Sequence, residues 1–109
     1  MPQDLSGKDL TRISLADTNL AGADLHNTTL HAANATRADL SDANLTDADL
    51  TDANLAAANL ARADLTGADV TGADLRDADL TGATLDGTQG LDQARLDPGA
   101  VPAAPASDG

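Results

Sequence analysis

The sequence predicts an all-β fold, a solenoid that winds around its own apolar side chains, and three observations carry that prediction. Leucine occupies 15 of the 17 positions divisible by five from Leu5 to Leu85; Ala35 and Val70 are the exceptions. Alanine stands two residues earlier in an unbroken series from Ala33 to Ala83. The residue between them is Asp or Asn in 14 of the 17 units, with Ser14, Thr29 and Thr84 departing from the rule. The unit is Ala-(Asp/Asn)-Leu-x-x.

A five-residue period fits neither a helix nor an uninterrupted strand. On a helix, at about 100° per residue, successive leucines step around every side of the cylinder. On a strand, an odd period sends Leu alternately to both faces. A turn inside each unit removes the conflict. The chain runs extended through Ala-Asp-Leu, then bends, so that Leu and the Ala two before it share one side. Bends of one hand keep that side inward throughout.

The second residue after Leu has the chemistry a bend needs. Gly7, Asp17, Gly22, Asn27, Asp42, Asp47, Asp52, Gly67, Gly72, Asp77, Gly82 and Gly87 all tolerate a positive φ. Arg12, Ala32, Arg37, Ala57 and Arg62 fit it less well. Their presence predicts that the turn type varies along the chain.

The units Ala38-Asp39-Leu40-Ser41-Asp42, Ala43-Asn44-Leu45-Thr46-Asp47 and Ala73-Asp74-Leu75-Arg76-Asp77 resemble the pentapeptide-repeat family, and the resemblance covers roughly residues 3–89. It implies a right-handed quadrilateral parallel β-helix with four units per coil, hence about four coils here. It also implies that Leu and the small residue two before it face the axis. The leucines then stack in four columns, interrupted at Ala35, and their burial at roughly 1.5–3 kcal/mol each is the main stabilising contribution.

Three segments follow. Residues 1–89 form the β-helix, with Gln3, Lys8, Ile13 and Thr18 at the inward positions of a looser first coil. Residues 90–97, where the phase fails, form a C-terminal cap with Leu91, Ala94 and Leu96. Residues 98–109, with Pro98, Pro102 and Pro105, form a flexible tail.

Composition narrows the function. The chain carries 18 acidic and 6 basic residues, a net charge of −12, and every acid is Asp. That balance disfavours direct nucleic-acid binding, which needs a basic footprint, and favours a partner with a basic surface. No apolar run follows Met1 and no stretch approaches a membrane span. A cytoplasmic bacterial protein is the expectation, the Ala, Asp and Arg bias with a single Lys fitting a GC-rich genome. There are no cysteines and no nucleophile triad or phosphate loop. A filled rod also lacks the water-excluding pocket that catalysis requires. His26 and His31 fall near one corner, but two histidines are fewer ligands than a specific metal site uses. The reading is no enzyme, no cofactor and no metal.

Placing outward residues on a 20-residue coil puts most acid on two adjacent sides. Asp4, Asp24, Asp47, Asp64 and Asp86 lie on the first, and Asp9, Asp49, Asp52, Asp69 and Asp92 on the second, against Lys8 and Arg12 alone. Arg37, Arg62 and Arg76 fall on the other two sides, Arg37 stacked on Asp17 and Arg62 on Asp42. Asp24, Asp47, Asp49, Asp52, Asp64 and Asp69 are therefore the candidate partner-binding residues. The first functional reading is a rigid, non-enzymatic protein-interaction module, a monomer or end-to-end dimer. The second comes from the resemblance: some pentapeptide-repeat proteins mimic duplex DNA and bind DNA gyrase or topoisomerase IV, giving resistance to quinolones or natural toxins. Those mimics carry axial Phe, protruding loops and a hydrophobic C-terminal dimer patch. This chain has no Phe, no interruption between Leu5 and Leu85, and only Leu91, Leu96 and Val101 near its C-terminus.

Overall fold

A computed structural model describes residues 3–97. The tail read at 98–109, together with Met1 and Pro2, lies outside the described residues.

The residue before Leu is the pairing residue of each unit. It forms a parallel bridge with the residue twenty positions on, from Asp4 with Asp24 to Asp69 with Gln89. Twenty residues therefore make one coil, and four bridge ladders define its four sides. Side one holds Asp4, Asp24, Asn44, Asp64 and Thr84; side two holds Asp9, Thr29, Asp49, Asp69 and Gln89. Side three holds Ser14, Asn34, Asn54, Asp74 and Arg95; side four holds Asn19, Asp39, Asn59 and Asp79. Among the described residues the bridges are isolated and none extends into a longer strand. Each side offers three extended residues before the chain turns.

Backbone hydrogen bonds repeat the same pattern from coil to coil. Asp24 donates its N–H to the Gln3 carbonyl at 2.8 Å, and the Asp24 carbonyl accepts from the Leu5 N–H at 2.8 Å. The pairing residue thus turns both backbone groups toward the preceding coil. At the corner, the carbonyl of Leu accepts from the N–H three residues on, as in Lys8 to Leu5 at 3.2 Å, and this bond recurs in every unit. The second residue after Leu always has a positive φ, between 57° and 74°, whether it is Gly, Asp, Asn, Ala or Arg.

The turns are accordingly uniform, and the variation expected at Arg12, Ala32, Arg37, Ala57 and Arg62 does not occur. The ladder is the reason. The N–H of that residue must point along the axis to a carbonyl of the next coil, as Ala57 does to Arg76 at 2.9 Å. Coil-to-coil pairing imposes the left-handed conformation on residues that disfavour it by about 1–2 kcal/mol. Ala57→Gly is therefore expected to stabilise the protein by about 0.5–1 kcal/mol, the gain reduced by the chain entropy of Gly. Urea unfolding of the two proteins checks this.

The core follows from the same geometry. Leu25, Leu45, Leu55 and Leu60 are 0% exposed, with Ala38, Ala63, Ala68 and Ala73 equally buried between them. Thr28 takes an inward Ala position and satisfies its buried hydroxyl by donating to the Leu25 carbonyl at 2.7 Å. Ala35 interrupts its column without disturbing the register: its N–H still reaches the Asn54 carbonyl at 2.7 Å. Burial weakens toward both ends, where Leu5, Leu10, Ile13, Leu15 and Leu85 are only partly covered. The first coil nevertheless keeps every ladder bond, so its looseness lies in side-chain packing alone.

At Gly90 the phase slips by one residue. Leu91–Gln93 form a short 3-10 turn. Ala94-Arg95-Leu96 then rejoins side three as a further unit, pairing Arg95 with Asp74 across a 21-residue spacing. The Arg95 carbonyl accepts from the Leu75 N–H and its N–H donates to the Ala73 carbonyl, both at 2.8 Å. Leu91, Ala94 and Leu96 pack against the core from there.

Candidate functional site

The pairing residue also fixes the corner that follows it. In all 14 units where it is Asp or Asn, its Oδ1 accepts the backbone N–H two residues on. This clip needs only a short side chain with an acceptor oxygen, so Asp and Asn alternate freely. Where the first turn residue is Ser or Thr, its hydroxyl commonly donates to the same oxygen. Thr51 to Asp49 and Thr71 to Asp69, both at 2.6 Å, are examples.

Those bonds hold several carboxylates in the charged form. The Thr71 hydroxyl and N–H keep Asp69 below the usual carboxylate range, and Ser6, Thr11, Ser41 and Thr81 do the same for Asp4, Asp9, Asp39 and Asp79. The His26 ring, 2.8 Å from Asp24, lowers that carboxyl and is itself raised by it.

The six candidate residues separate into two kinds. Asp24, Asp49, Asp64 and Asp69 are pairing residues, half-buried, each with one oxygen committed to its clip. Asp49 and Asp69 are direct bridge partners, so their side chains stack on side two. Asp47 and Asp52 sit instead at the left-handed turn position and are exposed. Their carboxylates lean over Gly67 and Gly72 of the next coil, into the space a Cβ would fill. Asn44 and Thr84 on side one, and Thr29 and Gln89 on side two, interrupt the acidic columns.

The cations are placed differently. Arg37 reaches back one coil to clasp Asp17 with Nε and Nη2 at 2.8 and 2.9 Å. Arg62 clasps Asp42 at 3.0 and 3.1 Å. Arg76 folds onto Asp74 within its own unit at 2.9 and 2.7 Å. These three pairs occupy sides three and four and their corners. The Arg76 guanidinium, with its own N–H, brings Asp74 down to about 2. That is below the unfolded value of about 3.9, so the stabilisation is complete above about pH 4 and is lost as pH falls through 2. Arg76→Gln is expected to return the Asp74 midpoint toward about 3.9, as read by NMR titration of its side-chain carboxyl.

His26 and His31 do not converge. His26 bonds Asp24, while His31 Nδ1 lies 2.7 Å from the Thr51 hydroxyl of the next coil. Among the described residues no group of three or more His, Cys, Asp or Glu side chains is arranged to hold a metal ion.

Sequence reasoning did not foresee the Ser or Thr hydroxyl that doubles many of the clips, or the Gly67 and Gly72 clearances beneath Asp47 and Asp52. A signal for the first was present in the run of Ser and Thr directly after Leu.

The repeat pattern described as Pentapeptide repeats matches this sequence in eight copies, over residues 3–31, 9–47, 23–60 and 58–89. The chain belongs to the pentapeptide-repeat family. The pentapeptide repeat protein Rfr23 from the cyanobacterium Cyanothece 51142 is similar in structure, with 42% identity over 82% of this chain and a TM-score of 0.79. The chain spans 60% of the Rfr23 chain. A second pentapeptide repeat protein, alr5209 from Nostoc Pcc 7120, shares 30% identity, with 89% of each chain covered and a TM-score of 0.55. Among curated proteins none matches. Among the described residues no helix is long and apolar enough to cross a membrane.

Proposed function

We propose that this pentapeptide-repeat chain is a non-enzymatic interaction module, a right-handed quadrilateral β-helix of about four coils working in the cytoplasm. Its sides one and two dock a protein partner with a basic surface. In this reading residues 1–89 are the β-helix, 90–97 close its C-terminal end and 98–109 form a tail. The observation that carries the proposal is the separation of charge. Arg37, Arg62 and Arg76 are spent on Asp17, Asp42 and Asp74 at sides three and four, and Asp47 and Asp52 stand exposed elsewhere. A regular backbone ladder holds those carboxylates at fixed spacing, so little ordering entropy is lost on docking.

The test is affinity capture from the native host by the full chain and by a variant combining Asp47→Asn, Asp52→Asn and Asp69→Asn. Asn keeps the clip at position 69, so the fold persists while the charge is removed. A partner held by the native chain, released by salt and missed by the variant supports the proposal. A partner held equally by both defeats the acidic strip.

Mimicry of duplex DNA toward a type II topoisomerase is the second reading. The feature favouring it is the direct stacking of Asp49 on Asp69, a short column of like charge. Supercoiling by purified gyrase, with and without a quinolone, decides it. Salt-sensitive inhibition or protection that the triple variant lacks supports mimicry, and no effect at micromolar protein removes it.

A further inference from the structure

The two ends of the solenoid differ. At the C-terminal end, the outward-directed N–H groups of side three and its flanking corners are taken. Gly72 donates to the Gln93 carbonyl at 3.2 Å, Leu75 to Arg95 at 2.8 Å, and Asp77 to the Asp97 carboxylate at 2.7 Å. At the N-terminal end the first pairing residue of each side is Asp4, Asp9, Ser14 and Asn19. Among the described residues, neither the N–H nor the C=O of any of these four has a backbone partner. All four are exposed, above half-covered Leu5, Leu10 and Leu15. Open edges of this kind are templates for further pairing.

We infer that this edge docks the same edge of a second copy, head to head about a two-fold axis. Three features of the molecule select that occupant. The first is hydrogen-bond form. Each edge residue turns both its N–H and its C=O outward along the axis. A two-fold axis across the solenoid makes the facing strands antiparallel, and in an antiparallel hydrogen-bonded pair two opposed residues exchange both groups. Head-to-tail stacking is blocked, because residues 93–97 already occupy side three of the other end.

The second is register. A four-sided end allows four two-fold registrations. Because the edge climbs along the axis from Asp4 to Asn19, only one spaces all four pairings equally: Asp4 opposite Asn19 of the copy, and Asp9 opposite Ser14, with their symmetry mates. The same registration is the only one that sets every carboxylate against a neutral side chain. The other three oppose Asp4 to Asp4, Asp9 to Asp9, or Asp4 to Asp9, which is unfavourable.

The third is charge. The first coil, residues 3–22, sets Asp4, Asp9 and Asp17 against Lys8 and Arg12, whereas residues 63–82 set five aspartates against Arg76 alone. Two copies therefore meet with least repulsion through their N-terminal ends. Five residues per side at ~3.3 Å each bound the side at ~16 Å, so the contact falls short of the ~1,200 Å² of a standard interface. The dimer is therefore expected to be weak.

Sedimentation equilibrium of the 109-residue chain, from low micromolar to near-millimolar, is the first experiment. A concentration-dependent dimer is expected, and a monomer throughout overturns the inference. Asn19→Asp keeps its clip to the Ala21 N–H but faces Asp4 of the copy; it is expected to weaken association by roughly three- to tenfold, an effect relieved by salt. Register is tested by cross-linking, since the native chain has no Cys. Opposed residues of such a pair lie ~5.5 Å apart between Cα atoms, within disulfide reach. Mixed Asp9→Cys and Ser14→Cys chains are expected to join under mild oxidation, and each variant alone to remain unjoined. Equal joining within either variant alone overturns the registration. Circular dichroism confirms that each variant is folded. Slow amide exchange at Asp9 in dilute monomer would show that another segment covers the edge, and would also defeat the inference.

Discussion

Leu45→Ala is expected to lower the unfolding free energy by about 3–5 kcal/mol, the upper part of the range for a buried leucine. Leu45 is 0% exposed, at mid-solenoid, flanked along side one's column by Leu25 and Leu65 at 0% and 2%. Its neighbours are held by ladder hydrogen bonds above and below, so the coil cannot collapse into the space. Leu10→Ala is the control. Leu10 is only half-buried in the first coil, and its loss should cost about 1–2 kcal/mol, because it exposes surface already near water. Position matters beyond area. In a one-dimensional stack each coil is stabilised by its neighbours, so a defect at the centre weakens both halves while one at the end frays a single coil. Urea unfolding of both variants, with its slope, measures this. Equal losses would mean that the first coil is as tightly packed as the third.

Gly90→Ala is the second large effect, about 2–4 kcal/mol. Gly90 has φ +82°, and a Cβ there would lie 2.6 Å from the Thr71 nitrogen and 2.7 Å from its Cα. Both atoms are backbone of a corner fixed by the ladder, so neither can give way. The expected result is that residues 91–97 detach as a group. The amides of Leu75 and Asp77 then lose protection in hydrogen exchange, while those of the middle coils keep theirs. Gly87→Ala supplies the comparison. It shares the left-handed conformation, but its Cβ would come no nearer than 3.8 Å to the Gly67 nitrogen, so only the conformational cost of about 1–2 kcal/mol applies. Equal effects at the two positions would mean that the Thr71 contact is relieved by a shift of the segment.

Most of the fold is legible in the residues because inward and corner positions repeat one requirement each. Leu45 and Ala43 show where the axis lies, and Gly67 or Asp47 shows where the chain must bend. The uniform turns at Ala57 and Arg62 are not legible, since neither residue prefers a positive φ. The coil above dictates their conformation, and that is a property of stacking rather than of any one unit. The slip at Gly90 is visible as a broken phase. Its outcome, Ala94-Arg95-Leu96 rejoining side three, depends on the clearance over Thr71, which no local pattern encodes. The candidate site is half legible. Coil arithmetic places Asp49 over Asp69 and Arg62 beside Asp42. One acid per unit beside a turn also marks Asp24, Asp49, Asp64 and Asp69 as turn formers that bond local backbone N–H, and each does so through one oxygen. Which of them also meets a partner is not legible, because an Asp that only clips a corner and an Asp that meets a partner read alike.

The twenty-residue ladder also bears on how such a gene can change. Every unit closes its corner with the same backbone bond, and most add the same side-chain clip, so duplicating or losing one unit leaves each local structure intact. The outward surface is far less forgiving. One unit gained between Asp49 and Asp64 would turn everything downstream by a quarter revolution, moving Asp69 onto side three and Asp64 into the column of Asp49. Only the gain or loss of a whole coil preserves which side chains share a side. Heritable length variation within this solenoid should therefore come in multiples of one coil wherever a side is under selection, and in single units where only the fold is.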